Sequence, residues 1–312
     1  MSFFSGLLSA LPGAVAQGLI WGLMAIGVFI TFKVLDLADL TVDGTMATGG
    51  AVCIVMMTHG ANVWVAMLCA FLAGMLAGLI TGILHTCMGI PAILAGILTQ
   101  LALFSINLRI MDKKANVAIN PDNYKLLVSL RNVKKVTIEN PIFVAAVFTI
   151  VVIVLLYWFF GTALGCSIRA TGANPNMSRA QGINVDFVKV LGLMLSNGLV
   201  ALASALYCQY QGFADVNAGR GAIVIGLAAV IIGEVIGNAV FRKRMNFALK
   251  LFFAAMGAVI YYLVITFVLW IGLSSQNLKL FSAIVVAVFL AVPYLKSKYS
   301  TSFMKAAKKG AE

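Results

Sequence analysis

Ten of the 312 residues are acidic, and four of them stand where a carboxylate is costly: Asp36, Asp39 and Asp43 between two apolar runs, and Glu234 inside a third. In the segment 33–44 (KVLDLADLTVDG) the three aspartates fall at i, i+3 and i+7, so a helix would align them along one side. A row of carboxylates of that kind can ligate a cation or relay a proton. Gly44 and the pair Gly49-Gly50 weaken a helix there and suggest a break. Two readings stay open. Either Asp36, Asp39, Thr41, Asp43 and Gly44 belong to a broken helix beside a solute path, or they form an ordinary acidic turn at a membrane interface.

Glu234 lies within the apolar run 222–240 (AIVIGLAAVIIGEVIGNAV). A carboxylate at the centre of a membrane helix costs roughly 2.5–3.5 kcal/mol, so it needs a partner, a proton or water. Asn238 and Arg242 follow at i+4 steps on the same face. The face is a pathway, or a proton-sensing acid, or part of a re-entrant segment covered by protein. Gln100, Asn107, Ser196, Asn197 and Gln209 are further polar groups inside apolar runs. Such residues either hydrogen-bond between helices or line a path.

A third constellation is the segment 165–182 (GCSIRATGANPNMSRAQG), polar and basic, between two long apolar runs. Asn174 suits an N-cap, Pro175 the first helical position and Gly182 the position just past the end. The expected element is a capped helix over 174–181, about two turns long. A short stiff helix held outside the lipid is suited to touch another protein.

The elements that position these groups follow from composition. Hydrophobic residues make up 62% of the chain and charged residues 10%, with mean hydropathy +1.03. A soluble domain is nearer about a quarter charged, so the chain is expected to be an all-α, polytopic membrane protein forming one domain over 1–312. Nine membrane-embedded segments are expected, within a range of eight to ten: about 8–31, 42–58, 62–84, 91–109, 140–160, 187–210, 221–240, 247–271 and 278–295. The first 32 residues hold no Lys or Arg, so no cleavable signal is expected and the first segment stays as a helix.

The basic stretches 241–246 and 296–312 both belong in the cytoplasm by the positive-inside rule. Counting back places 161–186 inside as a coupling loop and the N-terminus outside. Lys+Arg then divide 13 inside to 9 outside. The loop 110–139 conflicts, because it places Lys113, Lys114, Lys125, Arg131, Lys134 and Lys135 outside; it is expected to fold as a polar extracellular cap. The excess of 22 Lys+Arg over 10 Asp+Glu is read as topology and lipid contact, with no nucleic-acid partner. Gly18 and Gly22, then Gly74, Gly78 and Gly82, then Gly233 and Gly237 repeat at spacing four, a pattern for close helix packing and for dimers.

Several chemistries lack their residues. The chain has no G-x-x-x-x-G-K-[ST], H-E-x-x-H or G-x-S-x-G motif, and its five cysteines show no C-x-x-C spacing. No catalytic residue, metal ligand or cofactor is expected.

The run from Gly165 through Tyr207 resembles the coupling loop and following helix of ABC importer permeases of the branched-chain amino acid and ribose type. The shared pattern is G-x-x-x-R-A-T-G-x-N-x-x-x-A followed by a Gly-Ile/Val-Asn turn. Arg169, Ala170, Thr171, Gly172, Asn174 and Gly182-Ile183-Asn184 match it; Ser178 stands where Ala is usual, with Ala180 close by. The segment 37–44 (LADLTVDG) is similar to the D-L-S-V-G-like element of those permeases, and its wording is nearest a subgroup linked to aromatic or related amino acids.

The resemblance implies a non-catalytic permease subunit of the bacterial plasma membrane that moves a small solute, an amino acid or related metabolite. It implies a second permease copy, a pair of ATPase subunits that bind the ATP, and an extracellular or lipid-anchored solute-binding protein. Arg169, Thr171, Gly172, Asn174, Pro175, Ser178, Arg179 and Gly182 would couple to the ATPase. Asp36, Asp39, Thr41, Asp43, Gly44, Asn197 and Glu234 would line the path. An ion-coupled secondary transporter using Glu234 and Asp36, Asp39 and Asp43 is the rival reading.

Overall fold

The computed structural model describes residues 2–121, 124, 126–133, 140–241, 245–271, 280–281, 283–284, 286–288 and 291. Ten α-helices carry the architecture among them: α1 (Ser2–Phe29), α2 (Thr41–Thr58), α3 (Val63–Thr86), α4 (Ala92–Ile110), α5 (Pro141–Gly161), α6 (Ala163–Ala173), α7 (Pro175–Ala180), α8 (Val185–Gln211), α9 (Ala222–Phe241) and α10 (Phe247–Trp270). A π-helical turn, Ile30–Val34, extends α1.

Seven of the described helices are long and apolar enough to cross a membrane. The fold is therefore a helical, polytopic membrane protein, as the composition requires. The expected count of nine differs from this for two reasons. The short second segment, α2, falls outside the seven because Thr41, Asp43, Thr45, Thr48 and three glycines occupy its first turns. The ninth, 278–295, falls largely outside the described residues, and the tail 296–312 falls wholly outside them.

α1 and α8 form the centre, and both are mostly buried. α10, α8, α9 and α5 surround α1, while α3, α2 and α1 surround α8. The glycine ridges set these distances. A Cβ on Gly74 would meet the Asn197 carbonyl and one on Gly78 the Leu193 carbonyl, so α3 lies directly on the α8 backbone. Gly22 meets Ala255 of α10 in the same way, and Gly233 meets Phe253. The spacing-four pattern thus builds contacts within one chain, where backbones approach closely and dispersion replaces hydrophobic driving force.

The outer faces remain apolar and open. Leu68, Leu72, Leu76 and Ile80 of α3 are all exposed at spacing four, and Trp158 of α5 is 71% exposed.

Two small strands, β1 (Asn116–Ala118) and β2 (Phe213–Asp215), pair antiparallel with Asn116 opposite Asp215. They bring part of the 110–139 loop over one end of the bundle. The Tyr124 hydroxyl donates to the Thr58 carbonyl at 3.4 Å, and the Leu127 amide donates to Gln209 Oε1 at 3.2 Å. The described part of that loop is folded, with Val128 and Ile119 buried.

α6 and α7 lie at the opposite end, where α8 begins. The sequence suggested one helix over 174–181 in a polar loop; the structure places a second helix, α6, before it. Thr162 caps α6 by accepting from the Gly165 amide at 3.4 Å. Gly165, Ile168 and Thr171 form its buried face. With Ile168 the one large apolar residue in that face, too little hydrophobic periodicity is left to read from sequence.

Candidate functional site

The break between α1 and α2 is the structural centre of the polar chemistry. Asp36 takes φ +56°, a left-handed conformation that turns the chain back after the π-helical turn. The chain then restarts as α2 beside Asn197, near the middle of α8. Asp39 is 3% exposed there. Its Oδ1 accepts from the Thr41 amide at 2.9 Å, and its Oδ2 accepts from Asn197 Nδ2 at 2.7 Å. Asn197 Oδ1 accepts from the Thr45 hydroxyl at 2.7 Å, and Nδ2 also donates to the Leu193 carbonyl at 3.0 Å. Both oxygens of Asp39 are thus engaged by donors, as an interior carboxylate requires.

Hydroxyls extend this cluster sideways. Thr41 Oγ1 lies 2.7 Å from Thr81 Oγ1, which lies 2.9 Å from Thr99 Oγ1. One hydrogen-bonded chain therefore joins α8, α2, α3 and α4. A Cβ on Gly96 of α4 would meet the Leu40 amide, and one on Gly44 would lie 3.0 Å from Gln100 and Leu103. A side chain at either glycine would push α4 off the break.

Asp43 points elsewhere. Its Oδ2 accepts from the Gly221 amide at 3.0 Å and its Oδ1 from the Ile223 amide at 2.9 Å. Those amides open α9, whose first turn has no intrahelical partner for them. Asp43 therefore caps α9 from another helix, and Gly219 fits against the Asp43 carbonyl because it has no Cβ. The chain from β2 dips into the bundle before α9 starts. α2 and α9 begin together in the interior and run in opposite directions, α2 toward the strand end and α9 toward the α6–α7 end. Each helix start holds one carboxylate, where the helix dipole favours negative charge.

The three aspartates expected along one face thus separate. Asp39 fastens α2 to α8, Asp43 caps α9, and Asp36 is an exposed turn residue at the far side of the break. Among the described residues no group of three His, Cys, Asp or Glu could hold a metal ion. Glu234 also leaves the cluster. It pairs with Lys33 at 2.6 Å, the two side chains being 44% and 35% exposed, in a cleft at the α6–α7 end. Its cost is met by an ion-pair partner. Arg242, expected on the same face, is outside the described residues.

The capped stub forms as its sequence dictates. Asn174 Oδ1 accepts from the Met177 amide at 3.1 Å, and Pro175 opens α7. At the other end Gly182 has φ +82°; its amide donates to the Arg179 carbonyl and the Ile183 amide to the Ser178 carbonyl, both at 3.0 Å. That pair of bonds is a Schellman closure.

Of the expected coupling residues, Asn174, Pro175 and Arg179 are exposed, with Gly182, while Ser178 is buried and donates to the Asn174 carbonyl at 3.0 Å. Arg179 pairs with Asp186 at 3.5 Å. Thr171 and Gly172 face inward: a Cβ on Gly172 would strike the Val34 carbonyl. Arg169 stacks over the Phe247 ring at 5.3 Å. These three position α6 against α1 and α10.

The other interior polar groups serve helix contacts. Ser196 donates to the Gly27 carbonyl at 2.7 Å, and Gln209 Nε2 donates to Cys53 Sγ at 3.6 Å. Asn107 is buried without a hydrogen-bond partner among the described residues. Thr45, Thr81 and Thr99 were not singled out from sequence. Their signal is a lone hydroxyl in an apolar helix, which also arises where Thr only bonds its own helix carbonyl.

Comparison with known proteins adds the family. A model described as "Branched-chain amino acid transport system / permease component" matches residues 11–293. The chain is 38% identical to the tyrosine transport system permease protein of Clostridioides difficile (strain R20291), over 91% of each chain. It is 27% identical to the autoinducer 2 import system permease protein LsrC of Salmonella typhimurium, over 68% of this chain and 59% of the relative. Among solved structures, PsaBC from Streptococcus pneumoniae in complex with Fab superposes with a TM-score of 0.55 at 14% identity, covering 92% of this chain and 95% of that chain. That likeness concerns the fold alone.

Proposed function

The chain belongs to the branched-chain amino acid transport permease family, and from that premise we propose which solute it moves and which parts move it. It is a multi-pass permease subunit of an ATP-binding-cassette importer in the bacterial plasma membrane, working with ATPase and solute-binding partners. The proposed solute is an amino acid with an aromatic side chain, in line with the tyrosine permease to which the chain is 38% identical. In the proposed assembly two copies of the chain form the pore, each N-terminus is outside, and α7 seats in a cytoplasmic ATPase subunit that hydrolyses the ATP.

The observation that carries the reading is the pair of helix starts inside the bundle. α2 and α9 diverge from one point, each held there by an aspartate through hydrogen bonds of 2.7–3.0 Å. Two helices that start from one polar junction inside the bundle can tilt in opposite senses without breaking a continuous helix. α9 leads from that junction toward the end that bears α7. Displacing α7 therefore reaches the junction through α6, α1 and α9, which pack in series. Asp39 and Asp43 are engaged by donors and Glu234 by Lys33, which disfavours the ion-coupled alternative.

The test is uptake by proteoliposomes holding the permease, its ATPase subunits and the solute-binding protein. Labelled tyrosine is expected to accumulate only with ATP. Unlabelled phenylalanine or tryptophan should compete, and ribose should not. Accumulation driven by an ion gradient without ATP would overturn the mechanism, and competition by ribose alone would overturn the solute class.

A further inference from the structure

A cleft of about 660 Å³ opens at the α6–α7 end, between the π-helical end of α1 and helices α6, α9 and α10. That volume lies in the ~300–1,000 Å³ range of small-ligand sites. Its lining does not include Asp39 or Asn197 of the junction.

Its lining is amphipathic and divided. Phe29, Phe32, Phe247 and Phe253 supply an aromatic wall. Lys33, Arg169 and Lys250 bring three cations from three different elements, against two carboxylates, Asp36 and Glu234. Glu234 is already engaged by Lys33 at 2.6 Å, whereas Lys250 is exposed and has no ion pair among the described residues. The balance is positive, so the fitting occupant is an anion, and the aromatic wall asks for an apolar part attached to it.

Position supplies the same answer. The cleft lies between three helices long and apolar enough to cross a membrane, at the end of α1, the start of α10 and beside Val230, Glu234 and Asn238 of α9, and basic pockets between membrane helices suit anionic headgroups. We infer that this cleft binds an anionic phospholipid, with the phosphate between Arg169 and Lys250 and the first methylenes along the phenylalanines. The consequence is mechanical. Arg169, Gly172 and Ala173 form one wall of the cleft and lead directly into Asn174, the cap of α7. An occupant braces α6 against α1, α9 and α10 and so stiffens the element through which α7 acts. The inference extends beyond solute transport and stands whatever solute is moved.

The test uses the assembled transporter, permease with ATPase subunits, extracted from bilayers of phosphatidylcholine with graded phosphatidylglycerol. Retained lipid is counted by native mass spectrometry, and ATP hydrolysis is followed in nanodiscs of the same compositions. Phosphatidylglycerol should be retained in preference to phosphatidylcholine and should raise hydrolysis. Lys250→Ala should weaken retention about fivefold, the effect of one surface cation on an anionic lipid, and Lys250→Arg should restore it. Millimolar inorganic phosphate should leave the lipid bound. Equal retention of the two lipids, or by Lys250→Ala and wild type, overturns the site. Displacement of lipid by inorganic phosphate, with the same effect on hydrolysis in pure phosphatidylcholine, reassigns it to a soluble anion and overturns the lipid.

Discussion

Asn197 ties the start of α2 to the middle of α8. Its amide donates to Asp39 and to its own helix, while its oxygen receives Thr45. Removing it takes the amide donor from a buried carboxylate oxygen of Asp39, while the Thr45 hydroxyl keeps only the Thr41 carbonyl at 3.1 Å. A hydrogen bond to a charged group contributes about 1.5–3 kcal/mol, and stranding the charge costs more than the bond itself. Asn197→Leu is therefore expected to destabilise the permease by about 3 kcal/mol. Asn197→Asp is expected to do worse, because a second carboxylate would face Asp39. Thermal unfolding in detergent reads both variants, and solute uptake reads the junction. A Leu variant with unchanged melting temperature and uptake would remove the proposed role of the junction. The residue type was visible in the sequence as an amide inside an apolar run. Its partner, 158 positions away, was not.

At the scale of elements, α7 is a six-residue helix that no hydrophobic face of its own would stabilise. Short helices are marginal in water, so the caps carry it. Asn174→Ala is expected to cost about 1 kcal/mol through the lost N-cap. Gly182→Val forces a β-branched side chain into a left-handed conformation, at about 1–2 kcal/mol. Together they should fray α7 while α6 and α8 persist. The expected readout is normal membrane insertion, with weakened stimulation of ATP hydrolysis by the loaded solute-binding protein. Full stimulation in the double variant would sink the proposal that α7 acts as a rigid lever. α6 makes the contrasting case. It is held by Gly172 against Val34 and by Arg169 over Phe247, so it depends on the rest of the bundle for its place.

For the whole molecule the two ends differ in construction. One end carries the β1–β2 pair and the folded part of the 110–139 loop; the other carries α6, α7 and the facing ends of α9 and α10. Met245, just before α10, lines one cleft with Gly172 and Ala173 of α6, and Lys113, Lys114 and Arg131 belong to the described part of the 110–139 loop. Cysteine labelling tests the sidedness. Single cysteines at Asn120 and Asn176, both exposed, in a cysteine-free background should react from opposite faces of the membrane. The 120 position should label from outside intact cells and the 176 position only after permeabilisation. Labelling of both from one face would overturn the proposed orientation.

What the sequence determined by itself is what depends on neighbouring residues or on total composition. Apolar length and scarcity of charge required membrane helices. The order Asn174, Pro175, Gly182 required a capped short helix, because caps act within one turn. Spacing-four glycines required close helix packing, and Gly74 and Gly78 meet the α8 backbone as that spacing predicts. Tertiary structure alone decided where the acids went. Asp36, Asp39, Asp43 and Glu234 share a residue type and an apolar setting, and each found a different environment: a turn, an amide, a helix start and a lysine. A carboxylate inside a membrane protein must be satisfied by donors, and the donors for three of the four come from helices remote in the chain. Spacing along one segment could not report them.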